Sequence, residues 1–168
     1  MSLSMYQASV PVFVRLLGNL SAILEKAAAD AEVRKIDPAV LINARLAPDM
    51  FPLNRQVQIA ADAAKTCAAL LAGIEVPSYP DTEASFPELQ ARIAKTIAFI
   101  QSVSVEQIDG SEDRAIVLKR RDKETRFQGQ PYLLTYVLPN FYFHITTAYA
   151  ILRHNGLQVG KKDFLGAF

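Results

Sequence analysis

The chain has 168 residues, of which 51% are hydrophobic, and its formal net charge at pH 7 is +1. This length suits one domain with a hydrophobic core, so we take residues 1–168 as a single domain. The near-neutral charge argues against a nucleic-acid-binding protein, because such proteins usually carry an excess of Lys and Arg on one face.

The composition also bears on the compartment of the protein. No apolar stretch approaches the roughly 20 residues that a membrane-spanning helix needs, and the N-terminal residues lack the pattern of a signal peptide. The single cysteine, Cys67, cannot form an internal disulfide and lies on an apolar helical face, which is typical of a small core residue. These features predict a cytoplasmic protein that does not bind membranes.

Apolar residues at helical spacing predict three long helices in the first two thirds of the chain. The first covers about residues 4–31, the second runs from about Leu53 to just before Gly73, and the third covers about 85–102. A shorter helix is predicted at about 38–44, after an Asp-Pro pair that combines an N-cap residue with proline at the first helical position.

Two features of these helices lead to expectations about packing. Gly18 lies inside the first helix, where glycine costs about 1 kcal/mol relative to alanine, so we expect a neighbouring helix to pack closely against it. In the third helix, the apolar stripe leaves Arg92 and Lys95 beside or opposite the face that is expected to be buried.

The helical periodicity stops between residues 104 and 129. Residues 115–119 and 124–127 are predicted to form a short β-hairpin around a turn at 121–123, or an irregular insert of the same size. The basic residues of this region are interrupted by acidic ones, which is typical of a solvated hairpin or loop.

The last long helix is predicted from about Gln130 to Gly156, and Pro139 should kink it or divide it. The part after Pro139 is the most apolar and aromatic segment of the chain and contains both histidines. A tail is expected to pack back on the core through Leu157, Val159, Phe164 and Phe168. Four long helices predict an all-α fold, a four-helix bundle with the small β-hairpin or irregular insert between its third and fourth long helices.

His144 is the candidate functional residue. It shares one face of the last helix with apolar neighbours, so its imidazole should point toward the second long helix and find a hydrogen-bonding partner there. Gln56, Gln58 and Asp62 on the second long helix are the candidate partners, and Asn140 lies one turn before His144.

Three interpretations of these residues stay open. In the first, His144 helps to hold a divalent metal such as zinc or nickel, although amides are poor ligands and a tightly bound metal is not expected. In the second, His144 is an acid or base in a metal-free pocket for a small polar ligand. In the third, the polar residues form a purely structural network. The residues assigned to the ligand pocket are Gln56, Gln58, Asp62, Asn140, Thr147 and Tyr149.

Three segments carry a resemblance to a known family. They are Leu138-Pro139-Asn140-Phe141-Tyr142-Phe143-His144, Thr147-Ala148-Tyr149-Ala150-Ile151-Leu152-Arg153-His154-Asn155-Gly156 and Gly160-Lys161-Lys162-Asp163-Phe164-Leu165-Gly166. Together with Leu53-Asn54-Arg55-Gln56-Val57-Gln58 and Asp62, they resemble a bacterial family described as a domain of unknown function, which is similar to the DinB-like superfamily. The resemblance covers essentially the whole chain.

This resemblance implies a four-helix bundle in which many members bind a divalent metal through three histidines. Two of those histidines form an H-x-x-x-H pattern on the last helix, and the second precedes a glycine by twelve residues. His144 matches this second histidine, Asn140 stands where the first would be, and Gln58 (or Gln56) stands where the third would be. The resemblance therefore implies a degenerate metal site formed by His144, Asn140 and Gln58, and it also implies a homodimer.

The sequence thus predicts a DinB-like bundle of unknown function with an internal polar pocket around His144. That pocket is expected to be a degenerate metal site or a site for a small polar ligand. The alternative is a non-catalytic, dimerising helical protein in which the buried polar network is only structural.

Overall fold

The structure is a computed structural model that describes residues 3–120 and 122–167. Its elements in chain order are α1 (Val10–Val33), α2 (Pro38–Ile42), α3 (Leu53–Ala72), α4 (Phe86–Gln101), α5 (Val105–Ile108), β1 (Ala115–Arg120), β2 (Lys123–Gln128), α6 (Gly129–Pro131), a π-helical segment (Tyr132–Val137), α7 (Leu138–His154) and α8 (Lys161–Leu165).

The four long helices α1, α3, α4 and α7 form a bundle. Helix α3 packs against both α4 and α7, and α1 closes the bundle by packing against the same two helices. The buried face of α7 contains the whole predicted stripe, Phe141, His144, Ala148, Ile151 and Leu152, together with Ile145 and Thr147. The predicted fold class is therefore confirmed, because each amphipathic helix buries its apolar stripe against the others.

The β-hairpin lies where the sequence predicts it, between the third and fourth long helices. Strand β1 pairs with β2 in antiparallel fashion, from Ala115 opposite Gln128 to Arg120 opposite Lys123. One face of the hairpin packs on the bundle through buried Ile116 and half-buried Leu118 and Phe127. Arg121, which belongs to the predicted turn, lies outside the described residues.

The helix ends follow from local side chains. Helix α2 begins where the Asp37 carboxylate accepts a hydrogen bond from the Ala39 N–H at 2.9 Å. Helix α3 ends at Gly73, whose φ of 70° is in the left-handed region that favours glycine. Helix α1 starts at Val10, later than predicted, with Pro11 in its first turn, and it is preceded by a series of turns.

Gly18 and Gly129 differ in the space that surrounds them. The expectation of close packing at Gly18 is wrong, because a Cβ added to this exposed residue would have nothing within 4 Å. At Gly129, in contrast, a Cβ would come within 1.9 Å of the Ser111 carbonyl oxygen. Gly129 therefore permits the backbone of the last helix to start directly against the segment that precedes the hairpin.

The last helical stretch changes its hydrogen-bonding pattern just before Pro139. The six residues Tyr132–Val137 are π-helical, and α-helical geometry resumes at Leu138. Proline has no N–H to donate to the preceding turn, so a wider turn at this point lets the chain continue without a break. The predicted division of the helix is thus found as a change of helix type.

The tail after α7 packs back on the bundle, as predicted. Leu157 and Val159 are buried, and Phe164 is half-buried against the core. The Asn19 side-chain amide of α1 donates to the Phe164 carbonyl at 2.9 Å. Phe168 lies outside the described residues. No helix in the described part of the chain combines the length and apolar character that crossing a membrane requires.

Candidate functional site

His144 points into the bundle from α7 and is only 8% exposed. Its Nδ1 lies 2.7 Å from Oε1 of Gln56, which is on α3. The prediction that the imidazole meets a hydrogen-bonding side chain of the second long helix is therefore confirmed, and Gln56 is the partner among the three candidates. The ring also contacts Phe143 edge-on, with ring centroids 5.2 Å apart.

The orientation of the Gln56 amide determines which nitrogen of His144 carries the proton. Gln56 donates from Nε2 to the Phe51 carbonyl oxygen at 3.0 Å, so its Oε1 faces the imidazole. Because an amide oxygen only accepts hydrogen bonds, Nδ1 of His144 must be the donor. In the neutral ring the proton is thus on Nδ1, and Nε2 has a lone pair.

The His144 imidazole is held in its neutral form. Burial lowers the pKa of His144, and the positive charge of Arg55 lowers it further. Both causes act in the same direction, because a buried cation loses hydration and a nearby cation repels it.

Gln58 and Asp62, the other two candidate partners, are engaged elsewhere. Gln58 donates from Nε2 to Oε2 of Glu83 at 2.8 Å and accepts from Nη1 of Arg55 at 3.0 Å. Asp62 pairs with Lys65 at 2.7 Å. The two polar atoms of the Gln58 side chain are therefore both used away from His144.

Thr147 and Tyr149 serve their own parts of the chain. The buried Thr147 hydroxyl donates to the Phe143 carbonyl of the preceding turn at 2.7 Å. The Tyr149 hydroxyl donates to the Val159 carbonyl at 3.5 Å, and its ring meets Phe164 edge-on. Tyr149 thus contacts the tail through both its hydroxyl and its ring. The described hydrogen bonds of the Thr147 and Tyr149 hydroxyls are both made with backbone carbonyls and not with His144.

Asn140 lines a cleft of about 300 Å³ between α3, β1 and the last helix, which we call the α3–α7 cleft. Among the described residues, its polar lining is formed by Arg55, Asp62, Thr66, Lys119 and Asn140, and its apolar and aromatic lining by Ile59, Ala63, Leu118, Tyr132, Tyr136 and Val137. Of the predicted pocket residues, Asp62 and Asn140 are brought together here. His144, Gln56, Gln58, Thr147 and Tyr149 are not part of this lining.

The donor atoms around His144 do not fit a tight zinc or nickel site. In the described part of the chain, no three His, Cys, Asp or Glu side chains come close enough to hold a metal ion together. The implied ligand Gln58 is hydrogen-bonded to Arg55 and Glu83, so of the three implied ligands His144, through its Nε2 lone pair, and the Asn140 amide are left for a metal. One imidazole with amides falls short of the three or four good ligands that such a site requires.

A buried ionic cluster adjoins the cleft, and sequence reasoning missed it. Its centre is Arg92 of α4, whose side chain is only 1% exposed. Nη1 of Arg92 binds both carboxylate oxygens of Glu83, at 3.0 and 3.2 Å. Its Nη2 lies 3.0 Å from a carboxylate oxygen of Asp62 and 3.0 Å from one of Asp81. Arg55 also pairs with Asp81.

This cluster joins three parts of the chain. Asp81 and Glu83 belong to the connection between α3 and α4, Asp62 belongs to α3, and Arg92 belongs to α4. The ring of Tyr79, in the same connection, lies 4.1 Å from the Nζ atoms of both Lys65 and Lys95. The connection is thus held across the groove between the two helices by charge and by cation–π contacts.

The lowered pKa of His144 predicts how stability depends on pH. Between the ordinary value of 6.5 and the lower pKa of the folded state, the unfolded chain binds more protons. The free energy of unfolding should therefore fall as the pH drops below 6.5, by no more than about 1.4 kcal/mol per pH unit. The measurement is urea denaturation between pH 7.5 and pH 5, compared with His144→Gln, which retains a donor for Gln56.

His144→Gln should have a smaller slope than the wild type over this range. The matched control is Thr146→Gln, at an exposed position of the same helix, which introduces the same side chain without removing a titratable group and should keep the wild-type slope. An unchanged slope in His144→Gln would contradict the prediction that the lowered pKa of His144 causes the pH dependence of stability.

The ionic cluster predicts a large effect of removing its central cation. Arg92→Leu leaves Asp62, Asp81 and Glu83 without this countercharge and should lower the free energy of unfolding by about 3 kcal/mol. We expect the low end of the range for buried pairs, because the side chains of Asp62 and Asp81 are 36% and 38% exposed and retain some hydration. The measurement is urea denaturation at neutral pH.

The control for this change is Arg126→Leu. Arg126 pairs with Glu124 on the hairpin, but its side chain is 79% exposed, so its loss should change stability by less than about 0.5 kcal/mol. Similar losses of stability in the two variants would contradict the prediction that the buried Arg92 stabilises the fold far more than the exposed Arg126 does.

Comparisons with known proteins identify the family. The family described as domain of unknown function (DUF1993) matches residues 5–165. The chain is similar to a DinB family member protein from Shewanella denitrificans, whose crystal structure is known. The two sequences are 43% identical, the two structures superpose with a TM-score of 0.88, and the match covers 97% of this chain and 92% of that one. No curated protein gives a significant match. The chain therefore belongs to the DUF1993 family, and its bundle is that of a DinB-like protein.

Proposed function

We propose that the protein binds a small polar molecule in the α3–α7 cleft. In this proposal, the bond between His144 and Gln56 has a positioning role, because it fixes α7 against α3 at the turn that follows Asn140. The neutral imidazole stabilises this arrangement without adding a charge to the core. No reaction is assigned to the site.

The convergence of polar groups from separate elements is the observation that supports this proposal. Arg55 and Thr66 come from α3, Lys119 from β1 and Asn140 from α7, and all four line one cleft of about 300 Å³. Ligand sites typically combine a mainly apolar wall with a few polar groups that fix the orientation of the ligand. The apolar lining of the cleft supplies the first part of that combination.

A cleft-filling substitution tests the proposal. Ala63 lines the cleft, so Ala63→Leu should occupy part of it and abolish ligand binding. We would titrate a panel of small carboxylic acids, amides, amines and alcohols and follow backbone amide shifts by NMR. Shifts that centre on Thr66, Lys119 and Asn140 are expected in the wild type and should be lost in Ala63→Leu.

The matched control is Ala94→Leu on the exposed side of α4. It adds the same volume outside the cleft and should leave binding unchanged. Shifts that persist in Ala63→Leu, or that centre on another part of the bundle, would refute a ligand site in this cleft.

A second candidate function is formation of a homodimer through α7. A mainly apolar groove of about 420 Å³ runs along this helix next to the segment before α3, and none of the described residues that line it is charged. Phe143 is 55% exposed there, and Leu46 and Tyr142 are 39% and 38% exposed. A second copy of the chain would present the same uncharged surface, so the two faces would match about a twofold axis.

The dimer proposal predicts that a charge in this groove keeps the chains apart. Leu46→Glu should shift the protein from dimer to monomer in analytical ultracentrifugation, because a dimer would bury two unpaired carboxylates. Val33→Glu, at an 82% exposed position at the end of α1, adds the same charge elsewhere and should leave the dimer intact. A monomeric wild type at all concentrations would rule out this function.

A further inference from the structure

We infer that the ligand of the α3–α7 cleft is an organic anion, a carboxylate with an apolar or aromatic body, which is bound through Arg55 and Lys119. This inference rests on the proposed function of the cleft and adds the charge and shape of the molecule. It follows from the balance of charge around the cleft, the geometry of Arg55 and the composition of the remaining lining.

The charge balance of the described lining is positive. Arg55 and Lys119 are its cations, and Asp62 is its one carboxylate. Oδ1 of Asp62 lies 2.7 Å from Nζ of Lys65 and 3.0 Å from Nη2 of Arg92, and neither of these cations lines the cleft. The charge of Asp62 is thus compensated by two cations outside the lining, and the charge of Arg55 is partly compensated by Asp81. The charge that favours a negative ligand therefore comes mainly from Lys119, while Arg55 contributes the N–H donors that its Nη1 contacts do not use.

Arg55 is held in place but retains donors for a ligand. Its described contacts with Gln58 and Asp81 are both made by Nη1. Its guanidinium group lies over the Phe51 ring, with Cζ 5.8 Å from the ring centroid. A guanidinium group has further N–H donors on Nη2 and Nε, in the planar arrangement that suits a carboxylate.

Lys119 approaches from the hairpin, on another element of the cleft. It lies on β1, whereas Arg55 lies at the start of α3, so an anion between them is contacted from two elements. An ammonium group is a flexible point charge, so Lys119 supplies attraction while Arg55 supplies orientation. A cationic ligand would be repelled by both.

The remaining lining indicates an apolar or aromatic body. The rings of Tyr132 and Tyr136 are nearly parallel, with centroids 6.0 Å apart, and Phe127 packs 5.3 Å from Tyr136 behind them. Apolar side chains of α3, β1 and the last helix complete this wall. An inorganic phosphate or sulfate ion would satisfy the cations but leave the apolar wall in contact with water.

Three probes of similar size and different charge test the inference. Phenylacetate, phenylacetamide and phenethylammonium would be titrated into the protein by NMR and calorimetry at low ionic strength. Phenylacetate should bind about tenfold more tightly than phenylacetamide, because charge-assisted hydrogen bonds replace neutral ones. Phenethylammonium should bind more weakly than either, and added salt should reduce the advantage of phenylacetate.

Substitutions then assign the preference to the two cations. Lys119→Gln removes the charge of an exposed residue and should reduce the preference for phenylacetate over phenylacetamide severalfold without affecting the fold. Arg55→Gln should reduce it further. Lys123→Gln, on the neighbouring strand and outside the cleft lining, is the matched control and should bind as the wild type does.

The outcomes separate this inference from the proposed function. If phenylacetamide binds in the cleft as tightly as phenylacetate, the inference of an organic anion is wrong, but the cleft remains a ligand site. The same conclusion holds if Lys119→Gln and Arg55→Gln both keep the preference for phenylacetate over phenylacetamide. Equal binding of inorganic phosphate and phenylacetate would also overturn the inference. If no member of the panel shifts the cleft amides, both proposals fail.

Discussion

The burial of one guanidinium group is the constraint on which the geometry around the cleft depends. Arg92 is almost completely removed from water, and it compensates for this by pairing with carboxylates from α3 and from the connection between α3 and α4. Three carboxylates close together would repel one another, and Arg92 offsets this repulsion as the cation that all three share, with Lys65 and Arg55 each pairing with one of them. The cluster therefore determines both the path of the connection and the charge that Asp62 presents to the cleft.

The hydrogen bond between His144 and Gln56 also joins two helices, but unlike the ionic cluster it is uncharged. It joins α7 to α3 through a neutral ring whose pKa is lowered, so it adds direction without adding charge to the core. The ionic cluster joins α3 to α4 on another side of the same helix. Helix α3, which is rich in small residues, thus makes polar contacts with α7 on one side and with α4 on another.

The sequence was sufficient for the bundle and for the direction of His144, because both follow from helical periodicity within single segments. It was not sufficient to choose Gln56 over Gln58, since that choice depends on how α3 and α7 are rotated relative to each other. It also misplaced Arg92 beside the apolar stripe. A helical pattern shows how a residue relates to its own helix, whereas the partners Asp81 and Glu83 come from an extended connection whose position depends on tertiary packing.

The chemistry of the site differs from the three-histidine metal site that the family resemblance implies. A site of three imidazoles needs side chains that point at one another, whereas here the amide of Gln58 bonds to Glu83 and that of Gln56 bonds to the one imidazole. The polar groups of α3 are therefore divided between two networks with no common centre. Beside these networks lies the α3–α7 cleft, whose described lining contains the cations Arg55 and Lys119 and the carboxylate of Asp62, which is paired with Lys65 and Arg92 outside the lining. Recognition of a charged organic molecule requires only such a surface, and it does not require a metal.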